Sequence, residues 1–241
     1  GHPGGSLSAA DLVAALYFRV LRHDPANPQW PDSDRLILSK GHGCASLYVT
    51  LAHRGFFPKK KLASFIQDGS SLAGHPSSKL VPGIEASTGS LGHGFGIGLG
   101  MALALKRDGK SYRTVVMISD GECQEGTVWE SLLLASHYKL DNLKIILDHN
   151  NLQTLGHVED ILSLENLENK FKAFNCDVLN INGHSYPEII GAFRSKSLEK
   201  PLIIIAKTIK GKGVSYMENT TKWHKKLPNE EELRQAYKEL A

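Results

Sequence analysis

Val115-Val116-Met117-Ile118-Ser119-Asp120-Gly121-Glu122 and, thirty positions on, Ile145-Ile146-Leu147-Asp148-His149-Asn150-Asn151-Leu152 are two apolar runs of strand length, each stopping at oxygen-bearing side chains. A helix-length segment lies between them. In a parallel α/β sheet consecutive strands end on the same edge, and ligands bind in the crevice outside their carboxyl ends. Asp120 and Asn150 are therefore expected to face one another there. A carboxylate, an amide oxygen and a freed backbone carbonyl form a partial set of hard oxygen ligands, suited to Mg²⁺ or Ca²⁺ with positions left for phosphate oxygens. The pattern points to a diphosphate held through a metal.

Outward from these two stretches, strands are expected at Arg35–Leu38, Arg113–Ile118, Leu143–Asp148, Val178–Ile181 and Leu202–Thr208. Helical spacing falls at Ser6–Leu21, Ser46–His53, Lys60–Gln67, Leu91–Lys106, Thr127–Tyr138, Leu167–Phe174 and Tyr186–Ser197. Strands alternating with helices predict an α/β fold, a doubly wound and mostly parallel sheet flanked by helices. Residues 1–241 read as a single domain, with 214–241 a peripheral loop and C-terminal helix. The Gly-, Ser-, His- and Pro-rich stretch from Gly69 to Gly89 reads as a long loop, a length that usually carries function.

With Lys plus Arg at 28 and Asp plus Glu at 25, the formal charge is +3 and scattered. The run Pro58-Lys59-Lys60-Lys61 reads as a solvated face, and no basic stripe interleaves with aromatics as a nucleic-acid module requires. Cys44, Cys123 and Cys176 are far apart and lack metal-ligand spacing, so neither disulfides nor zinc is indicated. No apolar run approaches the ~18 residues of a membrane span, and no signal peptide is visible; a reducing cytoplasm fits. The opening Gly1-His2-Pro3-Gly4-Gly5-Ser6 would sensibly follow a helix, so a leading segment is expected upstream.

Between Gly92 and Gly100 every second residue is glycine. Glycine within a helix costs ~1 kcal/mol relative to alanine, so the run needs a reason: close approach of a cofactor, close helix packing, or both. It does not satisfy Gly-x-Gly-x-x-Gly and follows no strand, which counts against a dinucleotide fold built on it. Histidines recur beside glycines at His2, His42 and His75. A shared cleft of such residues suits proton transfers on sugar hydroxyls or a carbonyl. His224, in Lys222-Trp223-His224, is a weaker member of the set. Glu122, Glu125 and Glu130 follow Asp120 where acids favour a helix start, and Glu125 is placed to reach a subunit boundary.

The ordered set Gly-His-Pro-Gly at 1–4, Ser-Lys-Gly-His at 39–42, Gly-His-Pro at 74–76, Thr-Gly-Ser-Leu-Gly-His-Gly at 88–94, Asp-Gly-Glu-x-x-Glu-Gly at 120–126, Asp-x-Asn at 148–150, Lys-Gly-Lys-Gly at 210–213 and Trp-His at 223–224 resembles the thiamine-diphosphate domain of transketolase. In extent the chain resembles the N-terminal subunit of a split transketolase. The resemblance implies that Asp120, Asn150 and the main-chain oxygen of Leu152 bind the divalent metal, Mg²⁺ or Ca²⁺. It implies that Gly89, Ser90, Leu91, Gly121, Glu122 and Asn150 bind the cofactor, with His42 alongside. His2, His75 and His224 resemble the histidines that face a ketose and assist its proton transfers. Glu125, with Glu130 behind it, resembles the acid that links paired active sites.

Two departures stand out: Ser119 occupies the first place of a usual Gly-Asp-Gly, and Lys225-Lys226 follow Trp-His where glycine is commoner. The domains that cup the aminopyrimidine and supply the cofactor-activating glutamate are absent from this sequence. The implied activity is two-carbon ketol transfer from a ketose phosphate to an aldose phosphate, in a heterotetramer with a partner subunit carrying the pyrimidine-binding domain. The alternatives are a subunit of a 2-oxoacid dehydrogenase first component, a 1-deoxyxylulose-phosphate synthase-like enzyme, a transketolase-like enzyme of specialised metabolism, or a non-catalytic descendant.

Overall fold

A computed structural model describes all residues, 1–241. Five strands form one parallel sheet: β1 Arg35–Leu38, β2 Thr114–Ser119, β3 Leu143–His149, β4 Asp177–Asn182 and β5 Leu202–Lys207, in the spatial order β1-β2-β3-β5-β4. The helices are α1 Pro3–Ala15, α2 Cys44–Arg54, α3 His93–Arg107, α4 Gly126–His137, α5 Val158–Leu162, α6 Leu167–Ala173, α7 Tyr186–Arg194 and α8 Glu230–Glu239. No helix is long and apolar enough to cross a membrane.

Strand alternation divides the core. Val115, Met117 and Ile146 face α1, α2 and α7, while Val116, Ile118, Ile145 and Leu147 face α3, α4 and α6. Central strands are therefore apolar on both faces, as a covered parallel sheet demands. The register sets Ser119 beside Asp148 and Asp148 beside Ala206, so β2, β3 and β5 end level with one another. Their continuations meet at one edge, as the two opening stretches of sequence require.

The glycine run divides in the same way. A Cβ on Gly94 would come within 2.6 Å of the Ser39 backbone, and one on Gly98 within 2.3 Å of Val116. Those two glycines let α3 lie tight on the sheet, whereas Gly96 and Gly100 are exposed. Gly92 holds φ +80°, and a Cβ there would meet Thr127 Oγ1 at 2.2 Å.

The predicted helix over Lys60–Gln67 does not form. A 3₁₀ segment, Lys59–Ser64, ends early because Ile66 turns to φ 57° and donates its N–H to Leu72 O at 2.9 Å. The first helix begins at Pro3 and loosens into a π-turn over Leu16–Val20. A separate small core of Val214, Met217, Trp223 and Ala236 seats residues 214–241 against Leu7 of α1.

Candidate active site

The carboxyl edge of the sheet gathers residues from distant loops. After β2 the chain enters a 3₁₀ turn, Asp120–Gln124, and the Asp120 carboxylate is buried. Its Oδ2 accepts the N–H of Asn150 at 2.9 Å and of Asn151 at 2.8 Å, which ties the turn after β2 to the turn after β3. Asn150 Oδ1 accepts the N–H of Leu152 at 3.1 Å. The Leu152 carbonyl in turn accepts from Lys210 Nζ at 3.1 Å, and the same ammonium lies 3.0 Å from His224 Nδ1. The three expected metal-ligating residues are thus brought together and connected to the expected histidines through Lys210.

Those histidines form one cluster. The His2 ring centroid lies 5.3 Å from His42, 6.0 Å from His75 and 5.3 Å from His224, and His42 and His224 are 5.3 Å apart. Four segments far apart in sequence supply them: the start of α1, the turn before α2, the long loop, and the 3₁₀ turn Lys222–His224 held by buried Trp223. Gly89 closes the ring of loops, since a Cβ there would stand 3.1 Å from His75 Cδ2. Gly121 lies across from Gln153, whose side chain a Cβ there would meet at 3.8 Å. Ser90 is exposed and Leu91 half-buried on the same turn.

Burial first, then nearby cations, keeps His2, His42 and His224 uncharged. The His42 pKa is brought down to about 2 by burial and by Lys40. Burial and Lys210 bring His224 down to about 3, and burial chiefly brings His2 down to about 4. Lys210 is itself lowered to about 8 by burial and by Lys40.

Beneath the histidines lies a buried ion pair between Lys40 and Asp148, both less than 2% exposed. Ser8 donates to Asp148 Oδ2 at 2.6 Å, Thr208 donates to Oδ1, and Lys40 also donates to Gly5 O at 2.9 Å. Burial works to raise the Asp148 pKa, but Lys40 and these donors hold it below its ordinary value. Lys40, Asp148 and Lys210 are not among the site residues expected from sequence. Lys40 and Lys210 sit inside the quoted motifs, but nothing in their spacing shows which carboxylate or carbonyl each would meet.

Glu122, expected from the resemblance to bind the cofactor, makes its hydrogen bonds within the chain. Its side chain points inward: Oε1 accepts from Ser39 Oγ at 2.5 Å and from Gly92 N–H at 2.9 Å, and Oε2 from Ser119 N–H at 3.1 Å. Fully buried and with its pKa raised by burial, it binds three loops together. This capping role with Ser119 accounts for a serine where glycine is usual, because Ser119 has extended backbone, φ −126°. Glu125 and Glu130 lie apart from the histidines and are exposed.

The donor set fits a hard divalent cation with an anionic ligand: a buried carboxylate, an amide and a main-chain carbonyl are all oxygen donors and too few to complete six positions. The histidine side of the site also awaits a partner, since His2 Nδ1 is buried without any hydrogen bond. The profile of the family described as transketolase, thiamine diphosphate binding domain, matches residues 1–241. The chain belongs to the transketolase family. It is 44% identical over 243 residues to one of the subunits of the apulose-4-phosphate transketolase of Phocaeicola vulgatus, covering 100% of this chain and 86% of that one. The 6-deoxy-6-sulfo-D-fructose transketolase subunit SqwG of Clostridium sp. is 42% identical over 242 residues, covering 100% and 88%. Among solved structures, the transketolase of Campylobacter jejuni superposes with a TM-score of 0.92 at 36% identity, over 99% of this chain and 39% of that one. The chain therefore has the transketolase thiamine-diphosphate-binding fold and spans about two-fifths of that single-chain enzyme.

Proposed function

We propose that this chain is the N-terminal subunit of a split transketolase, moving a two-carbon ketol unit from a ketose phosphate to an aldose phosphate together with a partner subunit that carries the pyrimidine-binding domain. The observation that carries the reading is the convergence of His2, His42, His75 and His224 beside the linked Asp120, Asn150 and Leu152. In this reading Asp120 Oδ, Asn150 Oδ1 and Leu152 O hold Mg²⁺ or Ca²⁺, with Leu152 O giving up its contact with Lys210. Gly89, Ser90, Leu91, Gly121, Asn150 and His42 hold the diphosphate. When bound, thiamine diphosphate supplies the electron sink for breaking a bond beside a carbonyl.

The chain's own residues position and move protons. Neutral imidazoles at His2 and His224 each have one donor and one acceptor nitrogen, the pattern needed to hold sugar hydroxyls and pass a proton between them, with His75 beside them. A diphosphate brought beside His42 and Lys210 favours their charged forms, as any nearby anion does for a base. Buried Lys40 cannot reach solvent, so it acts on the cluster through its charge and by anchoring Asp148 and the Gly5 carbonyl.

A paired assembly is supported by the outer face of α3 and α4, where Ile97, Leu133 and Leu134 are 38%, 60% and 49% exposed on the same helices that adjoin Glu125 and Glu130. We assign Glu125 to a contact between active sites across that face, in a heterotetramer of two subunit pairs. Three free, buried cysteines and sugar-phosphate substrates suit a cytoplasmic location.

The test is reconstitution. The chain alone is expected to bind thiamine diphosphate weakly and to show no ketol transfer; adding a pyrimidine-domain subunit creates activity with xylulose 5-phosphate and none with pyruvate. Full turnover by the purified chain alone would sink the split reading, and a preference for pyruvate would move the protein to the 2-oxoacid dehydrogenases.

A further inference from the structure

Side-chain alternation along β3 sends consecutive residues to opposite sides of the sheet. Asp148 points toward α1 and meets Ser8 and Lys40, beneath the histidines. His149 points the other way, into a cavity of about 320 Å³ walled by Val158, Glu159, Leu167, Ile205 and Lys207. From that rear side its Nδ1 reaches Asp120 Oδ1 at 2.5 Å, the one side-chain hydrogen bond that the ring makes.

A carboxylate offers about four lone-pair sites, two on each oxygen. On Asp120, Oδ2 has both of its sites taken by the amides of Asn150 and Asn151. Oδ1 has one site taken by His149, which leaves one open. Since a carboxylate only accepts, the hydrogen sits on His149 Nδ1, and Nε2 is left toward the cavity. The oxygen with room for a cation is therefore the oxygen that His149 holds. The two amides fix the carboxylate at one oxygen; the imidazole fixes its rotation at the other.

We propose that His149 is a positioning residue for the divalent-metal site, orienting Asp120 Oδ1 so that its free lone pair faces the cation from behind the cofactor crevice. This rests on the reading of Asp120 as a metal ligand. It adds that the ligand is supported from the opposite face of the sheet, by a residue that touches neither cofactor nor substrate. Partners that hydrogen-bond a ligating carboxylate typically contribute about 10- to 100-fold in metal affinity. Because His149 lines a cavity and its side chain is 23% exposed, replacing it leaves the sheet core intact.

The decisive measurement is calorimetric titration of Mg²⁺ into the chelator-treated full chain, with its partner subunit present and thiamine diphosphate in fixed excess. His149→Leu, which removes the donor, is expected to weaken Mg²⁺ by about 10-fold or more. His149→Asn keeps an N–H donor on a shorter side chain and is expected to recover most of that loss, which a merely space-filling role would not predict. Wild-type affinity in His149→Leu, or equal weakening in both variants, overturns the proposal. Asp120→Ala separates the two levels: if metal-dependent binding survives it, the metal-site reading itself fails; if binding is lost there but unchanged in His149→Leu, only the role of His149 fails.

Discussion

Lys144, at the amino edge of β3, and Lys210, beyond the carboxyl edge of β5, are both buried ammonium groups whose pKa is brought down to about 8, chiefly by burial. Lys144 gives its protons to Phe193 O at 2.7 Å and Ser195 O at 2.8 Å, the carbonyls that end α7. Arg113 donates to the same Phe193 carbonyl and pairs with Asp34. At that edge the two carbonyls at the end of α7 that the lysine faces both find donors, as helix C-termini need. Lys210 instead donates to Leu152 O and Gln153 O in the loop after β3 and sits against His224, within a group that leaves His2 Nδ1 unpaired. One buried lysine completes the fold. The other lies among histidines and oxygen donors that separate loops bring to one crevice, where a cofactor would be met.

The comparison breaks first at the ion pair under the site. Lys40→Met strands the Asp148 carboxylate in the core, and breaking a buried pair in this way costs about 3–5 kcal/mol. Urea unfolding is expected to show that loss, and the double variant Lys40→Met/Asp148→Leu to regain much of it. A change below about 1 kcal/mol, the scale of a surface pair, would mean that the pair is not a buried unit. Next in size, Asp120→Ala is expected to weaken metal-dependent cofactor binding at least 100-fold, about 2.7 kcal/mol, in an equilibrium titration. Lys144→Met should then lower stability by about 1–3 kcal/mol, by leaving Ser195 O without its donor and Phe193 O with Arg113 alone, while ketol transfer by the reconstituted complex is unchanged. Lys210→Met is expected to invert that pattern, losing more in kcat/KM than in unfolding free energy. Equal behaviour of the two lysine variants would erase the distinction between the two edges.

Reading the sequence forward recovers the sheet because β2 and β3 are continuous apolar runs that stop at Asp120 and at His149-Asn150, and parallel strands of equal register put those stops together. The glycine-flanked histidines are legible as a set, since each turn carries its own punctuation. The Lys40–Asp148 pair is not, because its members are 108 positions apart and only the alternation of β3 decides that Asp148 faces α1. The inward turn of Glu122 is hidden for a related reason. Its three donors come from Ser39, Ser119 and Gly92, loops whose meeting depends on α3 lying tight against the sheet at Gly94 and Gly98. The missing helix over Lys60–Gln67 reflects a local contest that Leu72 wins by taking the Ile66 N–H.

The smallest expected effect is a pH dependence carried by the open edge. His42 has a folded pKa of about 2 against an ordinary value of 6.5, with burial and then Lys40 as the causes. Its folded form binds fewer protons than the unfolded chain throughout that interval, so stability rises with pH there and falls on acidification. The loss begins as pH drops through about 6.5 and continues toward the folded value. One proton of difference gives a slope of at most about 1.4 kcal/mol per pH unit. Urea unfolding of the cofactor-free chain at pH 7, 6 and 5 is expected to show this decline, and His42→Gln, which cannot titrate, to lessen the slope by the share of one group, with His2 and His224 keeping theirs. Bound diphosphate favours the protonated imidazole and should shrink the same slope in the wild type. An unchanged slope in His42→Gln would show that the imidazole already has solvent or an anion beside it, and that the histidine cluster is less dry than its burial indicates.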